Sequence, residues 1–272
     1  MVHLAASTQL FGAQLLQEEH LRTIRDAGFG HVELFAAPGH FEWEDRRAVQ
    51  HIASALRALE LSVCSLHAPW APGQDIASPD AVRRERSLQA VARAMDALVA
   101  VGGEVLVLHP GATVEDRGRS AEQLALAEES IRRVARWATD LGVLVALENP
   151  PPYELAGDYA SLLALYRRLA DEPAVQACFD TGHAHLLPEG IEAVYAVVKD
   201  LLVVHLSDNM GRADDHLPPE AGTIPWPTLL SALREAGFSG AAVLELTDLP
   251  EPEAILSKGW AWMAEMWPEG TL

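Results

Sequence analysis

The sequence predicts an α/β protein, a single (β/α)8 TIM barrel spanning residues 1–272. Three observations lead there. Eight short runs rich in Leu and β-branched residues alternate with longer amphipathic segments. The runs are near-continuously apolar, as in parallel strands covered on both faces. Eight such units in about 250 residues is the usual size of that barrel, whereas an open doubly wound sheet has fewer strands and a glycine-rich phosphate turn, and no G-x-G-x-x-G or P-loop occurs here.

In chain order the strand candidates are VHLAAS (2–7), HVELFA (31–36), SVCSLHA (62–68), VLVLHPG (105–111), VLVALENP (143–150), VQACFD (175–180), LLVVHLSDN (201–209) and AAVLELT (241–247). Between the third and fourth, Ser78-Pro79 reads as an N-cap with a first-turn proline. Leu88, Val91, Met95, Leu98 and Val99 then continue an apolar stripe, and Gly102-Gly103 ends it. Before the fifth, Ser120 and Gln123 form a capping-box pattern ahead of Leu124, Ala127, Ile131, Val134 and Leu141, and Gly142 stops the helix.

Composition narrows the function classes. With 20 Lys+Arg against 39 Asp+Glu the formal net charge is -19, which repels phosphate backbones and anionic membranes, so nucleic acid is a disfavoured partner. Cys64 and Cys178 lie in apolar runs and read as reduced, buried thiols. The N-terminus carries no basic leader pattern and no apolar run reaches the roughly 18 residues of a membrane span. The expectation is a cytoplasmic protein without membrane attachment, with a homo-oligomer left open.

The chemistry is concentrated where the runs end. Six successive runs finish in or beside a residue that can bind a metal: His67, His109, Glu148, Asp180, His205 and Glu245. A TIM barrel opens all its strand C-termini onto one face, so residues distant in sequence converge there. Asp180 with His183 in FDTGHAH, and Asp214 with His216 in RADDHLPP, add two close pairs. A mixed imidazole and carboxylate set without thiolate suits Zn²⁺, Mn²⁺ or Co²⁺. His3, His20, His31, His40, His51 and His185 are read as structural.

The runs SLHAPW, VLHPG, ALENP, FDTGHAH, HLSDN, DDHLPP and VLELT, in this order, resemble the xylose isomerase-like TIM-barrel superfamily. That superfamily includes sugar isomerases and 3-epimerases, inosose dehydratases and endonuclease IV-type apurinic endonucleases. For the epimerase branch the resemblance implies one divalent metal on Glu148, Asp180, His205 and Glu245, with His183 and Arg212 touching substrate oxygens. For the endonuclease branch it implies three zinc ions. His67, His109 and Glu148 hold one, Glu148, Asp180, His205 and Glu245 a second, and His183, Asp214 and His216 a third, so one to three ions are expected.

Two departures bear on the choice. The loop reads HLPPEAGTIPW, where similar sugar-active members carry a further glycine two residues earlier, and ENP at Glu148 lacks the Thr- and Gly-rich continuation of the endonucleases. No basic, aromatic-laced loop is present to wedge a duplex. The expected activity is therefore that of a sugar or sugar-phosphate isomerase or epimerase acting on a small polyol, by proton transfer through a metal-stabilised enediolate. A metal phosphoesterase or apurinic endonuclease of the endonuclease IV type, an inosose-type dehydratase and a non-catalytic binding protein stand as the alternatives. Glu148 and Glu245 are the expected acid–base pair, His183 would polarise a substrate oxygen and Arg212 would steady developing negative charge. Trp70 and Trp226 are candidate walls for a sugar ring, with packing as the other reading for Trp226. Trp260, Trp262 and Trp267 read as packing or subunit contact. Glu33 reads as a solvated strand-end glutamate, with a substrate hydroxyl contact as the alternative.

Overall fold

The computed structural model describes residues 1–70, 73–112, 120–191, 201–247 and 249–268. Eight parallel strands, β1 (His3–Ser7), β2 (His31–Phe35), β3 (Ser62–His67), β4 (Val105–Leu108), β5 (Leu144–Glu148), β6 (Val175–Asp180), β7 (Leu201–Leu206) and β8 (Ala241–Leu244), pair in sequence order, and β8 closes on β1. Every strand falls within its predicted run. Around them lie α1 (Glu18–Asp26), α2 (Arg46–Ala58), α3 (Ala81–Ala100), α4 (Ser120–Leu141), α5 (Tyr159–Arg168), the short α6 (Thr181–His185), α7 (Trp226–Glu235) and α8 (Pro252–Met266). None of the described helices is long and apolar enough to cross a membrane.

Side-chain capping sets several helix starts. Asp45 accepts from the Arg47 amide to open α2, and Asp158 from the Ser161 amide to open α5. The predicted cap of α3 is displaced. Asp80, not Ser78, takes that role, accepting from the amides of Val82 and Arg83, and Ser78 is buried. Asp80 stands immediately before the first helical residue, where its Oδ1 alone reaches both first-turn amides. The environment of the Ser120 side chain, and hence the predicted capping box of α4, lies outside the described residues. Gly102 and Gly142 end α3 and α4 at φ of 84° and 70°, a region that side chains with a Cβ rarely adopt.

The larger part of the core lies between sheet and helices, with Phe29, Leu34, Leu66, Met95, Leu106, Ile131 and Leu147 completely enclosed. A second, smaller cluster fills the barrel itself: Ala5, Val107, Ala146, Cys178, Val203, Ala241 and Val243. The strand period of two positions the site, because successive inward residues are two apart. Two residues on from Val107, Ala146, Cys178, Val203 and Val243 stand His109, Glu148, Asp180, His205 and Glu245. The small apolar plug thus carries a polar layer at the C-terminal mouth. Cys64 and Cys178 are both free thiols, as expected, but only Cys178 is wholly buried, Cys64 being half-buried.

Candidate metal centre

The structure brings all nine predicted ligands together in three adjoining groups. His67, His109 and Glu148 form one, Glu148, Asp180, His205 and Glu245 the second, and His183, Asp214 and His216 the third, with the ligand atoms of each group within 4.8 Å of one another. Glu148 links the first two. Its Oε2 lies 3.4 Å from His67 Nε2 and 3.2 Å from His109 Nε2, while its Oε1 lies 3.3 Å from His183 Nδ1 and 3.4 Å from His205 Nδ1. His205 Nδ1 also faces Glu245 Oε2 at 3.2 Å and Asp180 Oδ2 at 3.8 Å. Asp214 Oδ2 joins His183 Nε2 at 3.1 Å to His216 Nε2 at 3.2 Å.

Apart from the hydrogen bond between His183 Nε2 and Asp214 Oδ2, closeness here is not hydrogen bonding. Glu148 Oε1 and Oε2, Asp180 Oδ2, His205 Nδ1, Asp214 Oδ1 and Glu245 Oε2 are buried and lack any hydrogen-bond partner. Buried polar atoms are nearly always paired, because an unpaired one forfeits its hydration for nothing. So many unpaired oxygen and nitrogen donors turned toward common points fit a divalent cation. Cys178 also lies with Glu148 and His205 in a fourth such group, but burial pushes its thiol up, so the ready donors are imidazole and carboxylate, which suit the borderline and harder ions.

Each imidazole is oriented by its other nitrogen. His67 Nδ1 donates to Ala68 O at 3.0 Å, His183 Nδ1 to Asn149 O at 3.0 Å and His216 Nδ1 to Glu245 O at 3.2 Å. His109 Nδ1 pairs with Glu154 Oε2 at 2.7 Å, and His205 Nε2 with Glu33 Oε2 at 3.1 Å. Such partners fix which ring nitrogen is presented. Asn149 additionally ties the ends of β5 and β6 together: its amide donates to Asp180 O at 2.9 Å, and its carbonyl accepts from Asp180 N at 2.8 Å. Asp180 Oδ1 caps α6 by accepting from His183 N at 2.6 Å, which sets the Asp180–His183 spacing.

Without a bound cation the groups neutralise one another. Burial opposes a charge on His109, but Glu148 and Glu154 outweigh it and push the imidazole up to about 10. Burial likewise opposes charge on His216, and Asp214 and Glu245 push it up to about 9. Against burial, His183 rises well above the usual imidazole range under Asp180 and Asp214, and His205 does so under Cys178 and then Glu245, Glu33 and Glu148. Glu245 is drawn to about 2 and Glu148 well below the carboxylate range, because neighbouring imidazolium charge exceeds the burial penalty. Asp180 goes the other way, to about 7, since burial and the adjacent Glu245 and Glu148 outweigh His183. The site is an imidazolium–carboxylate cluster in which a cation would displace protons.

Other sequence expectations divide. Trp70 is 41% exposed with its ring 6.4 Å from that of His109, a wall at the mouth. Trp226 is packing: it is buried, donates from Nε1 to Asp208 Oδ2 at 2.9 Å and stacks edge-on against Trp262. Arg212 is exposed two residues before Asp214, without an ion pair among the described residues. The solvated reading of Glu33 is wrong, as is the substrate alternative. Its carboxylate is completely buried inside the barrel and bonded to Ser65 and His205. Glu154 was missed. It lies just past β5 and is 5% exposed behind His109. Its signal was an acid in the short proline-rich loop above a ligand strand. The remaining histidines stay outside the centre. His20 stacks on Phe11, His3 meets His31 at the far end of the barrel, and His185 contacts Thr223.

Fold and site together define a parallel eight-stranded barrel with a polar His/Asp/Glu centre at its C-terminal face. The chain belongs to the xylose isomerase-like TIM-barrel family, whose model matches residues 21–266. Among solved structures, a D-tagatose 3-epimerase-like protein superposes with a TM-score of 0.84 over 97% of both chains at 22% identity. The apo form of 3-keto-D-glucoside 4-epimerase YcjR from E. coli superposes with 0.79 over 97% of this chain and 100% of its own, at 19% identity. These likenesses establish the fold. In sequence, the chain is 26% identical over 66% of its length to the uncharacterized protein MJ1311 of Methanocaldococcus jannaschii, spanning 63% of that protein. It is 25% identical over 69% of its length to a protein named "Probable endonuclease 4" from Acholeplasma laidlawii, spanning 68% of it.

Proposed function

We propose that the protein is a divalent-metal-dependent sugar isomerase or epimerase acting on a small polyol. The observation that carries this reading is the Glu148–Glu245 pair. Two buried carboxylates from strands on different sides of the barrel mouth face one imidazole, His205 Nδ1, at 3.4 and 3.2 Å, and each has an oxygen with no hydrogen-bond partner. The epimerases that share the fold agree with it. Glu148, Asp180, His205 and Glu245 would hold the ion, which when bound supplies Lewis acidity to adjacent substrate oxygens.

The chain's own groups do the rest. A C–H beside a carbonyl is weakly acidic, so its removal needs a positioned base and a second acid to return the proton from the opposite face. We assign those roles to Glu245 and Glu148: their drawn-down pKa leaves both carboxylates free to take a proton, and the one that returns a proton first draws it from solvent. Trp70 offers an apolar wall beside His109, and we assign to Arg212, two residues before Asp214 on the same loop, the role of meeting developing negative charge.

One observation favours a second reading, metal-dependent phosphoester hydrolysis. Both nitrogens of His183 are engaged, by Asn149 O and Asp214 Oδ2, and the His183–Asp214–His216 group stands complete beside the other two. His183 then acts as a ligand rather than a substrate contact. Turnover of a panel of free and phosphorylated ketoses in D₂O distinguishes the readings. Proton transfer places deuterium on the carbon whose C–H breaks, and Glu148→Gln and Glu245→Gln, with metal occupancy matched, lower the rate at least about 10²-fold. Phosphate release with no deuterium at carbon supports hydrolysis instead.

A further inference from the structure

Glu33 takes no part in the chemistry above, yet its position is unusual. It points into the barrel from the middle of β2, completely buried, where the inward residues of other strands are Ala5, Val107, Ala146, Val203 and Val243. Barrel interiors are normally filled by branched apolar side chains, and a buried carboxylate is unfavourable unless it is paired and hydrogen-bonded. Glu33 has two partners, both on Oε2: the Ser65 hydroxyl donates at 2.7 Å, and His205 Nε2 lies at 3.1 Å. Its other oxygen is unpartnered. Among the described residues its one ion pair is with His205.

The consequence falls on His205. A ring has two nitrogens, and the one engaged by a carboxylate carries the proton. Here Nε2 is engaged, so Nδ1 remains. Nδ1 is buried without a hydrogen-bond partner, and it is the atom turned toward Glu245, Glu148 and Asp180 at 3.2, 3.4 and 3.8 Å. We propose that Glu33 is a positioning residue: from beneath the polar layer it holds the proton on His205 Nε2 and the ring in orientation, so that Nδ1 is the donor offered to the divalent cation. Ser65, by donating to the same Glu33 oxygen, keeps the carboxylate in line with the imidazole. Glu33 is kept from substrate by the ligand layer, which lies between it and the mouth.

The proposal rests on the metal reading, and the test separates the two. The probe is Zn²⁺ alone, titrated against a competing fluorescent chelator, with the metal-free melting temperature recorded for each variant. Glu33→Gln retains size and an acceptor but loses the charge, and is expected to bind Zn²⁺ roughly 10–100-fold more weakly. Glu33→Leu, apolar and of similar volume, is expected to lose at least as much affinity, and its metal-free form to melt lower, because the Ser65 hydroxyl and His205 Nε2–H lose their buried acceptor. A residue that merely filled the core would show a shifted melting temperature with unchanged affinity. Ser65→Ala, which leaves the Glu33–His205 bond in place, should stay near wild type. Wild-type affinity in both Glu33 variants overturns the proposal, and if Glu33→Leu does not fold, Glu33→Gln decides. Should wild type itself take up no Zn²⁺, the metal reading fails and the imidazole protons of the metal-free protein still test Glu33. A downfield, slowly exchanging His205 Nε2–H is expected in wild type and lost in Glu33→Leu. Its persistence there would show that Glu33 does not hold that proton.

Discussion

Asp208 offers the sharpest prediction about how the β7 loop is built. Its two carboxylate oxygens accept four hydrogen bonds that gather both ends of the loop. The Asn209 amide at 2.8 Å and the Ile224 amide at 3.2 Å reach Oδ1, and the Glu220 amide at 3.0 Å and Trp226 Nε1 at 2.9 Å reach Oδ2. A backbone bridge between Asp208 and Leu217 closes the same loop, and the Asn209 side chain ties it to Gly182 O in α6 at 2.8 Å. The loop in turn presents Asp214 and His216, the latter in a left-handed conformation at φ of 45° that only a constrained loop maintains. Asp208→Ala strands three buried donors, from Asn209, Ile224 and Trp226. At about 1–3 kcal/mol for each buried donor left unpaired, the loss is at least about 3 kcal/mol. For a chain of this size, at about 2–4 °C per kcal/mol, the metal-free melting temperature should fall by at least about 6 °C. Calorimetry of chelator-treated wild type and variant measures it directly. Metal analysis of the reloaded variant should show loss confined to the His183–Asp214–His216 group, with Asp180-dependent metal retained. A melting temperature within about 2 °C of wild type would refute the reasoning, since four charge-assisted bonds would then contribute nothing.

The pH dependence of the metal-free protein has a defined sign. His216 and His109 have folded-state values raised to about 9 and about 10 above an unfolded value near 6.5. Their contribution to stability is therefore complete below about pH 6.5 and is lost as pH rises through about 9 to 10. The melting temperature of the chelated protein should decline over that window, and Zn²⁺ uptake at pH 7 should release protons, read as buffer-dependent binding heat. A flat profile with no proton release contradicts the imidazolium cluster. The thiols give an independent check on the barrel interior. Burial pushes the Cys64 thiol up to about 12 and Cys178 higher still. Native protein at pH 8 should therefore react with a thiol-specific disulfide reagent far more slowly than denatured protein, in which both cysteines titrate. Equal rates would place at least one thiol at the surface.

What the sequence made legible follows from strand periodicity. The eight strands were readable because buried parallel strands are short and almost wholly apolar, and the ligands because a polar residue two positions beyond Val107, Ala146, Cys178, Val203 or Val243 interrupts that pattern at the strand end. The Asp180–His183 and Asp214–His216 spacings were readable as pairs, although only the structure shows why they hold: a helix cap in one case, a clasped loop in the other. The residues that orient the ligands were not readable. Glu33 and Glu154 look like ordinary strand-end or loop acids, and what distinguishes them is burial against an imidazole 172 and 45 residues away in the chain. Asp208 was similarly hidden, because a hydrogen bond between loop ends leaves no periodic trace, whereas packing at Trp226 was one of its two readings. The misplaced α3 cap is a local competition between Ser78 and Asp80 that spacing alone does not decide.

The central claim is that buried, unpaired donors at the barrel mouth hold a divalent cation. Elemental analysis of purified protein, alongside Asp180→Ala prepared identically, tests it most directly. Asp180 is completely buried, its Oδ2 is without a hydrogen-bond partner, and it belongs to the four-residue group with Glu148, His205 and Glu245. Wild type should carry at least about one equivalent of Zn²⁺, Mn²⁺ or Co²⁺ per chain, most of it lost in Asp180→Ala, and its melting temperature should rise on adding the ion because only the folded state binds it. Metal content unchanged in Asp180→Ala, or a wild-type protein that takes up no divalent ion at any pH from 6 to 9, would contradict the account.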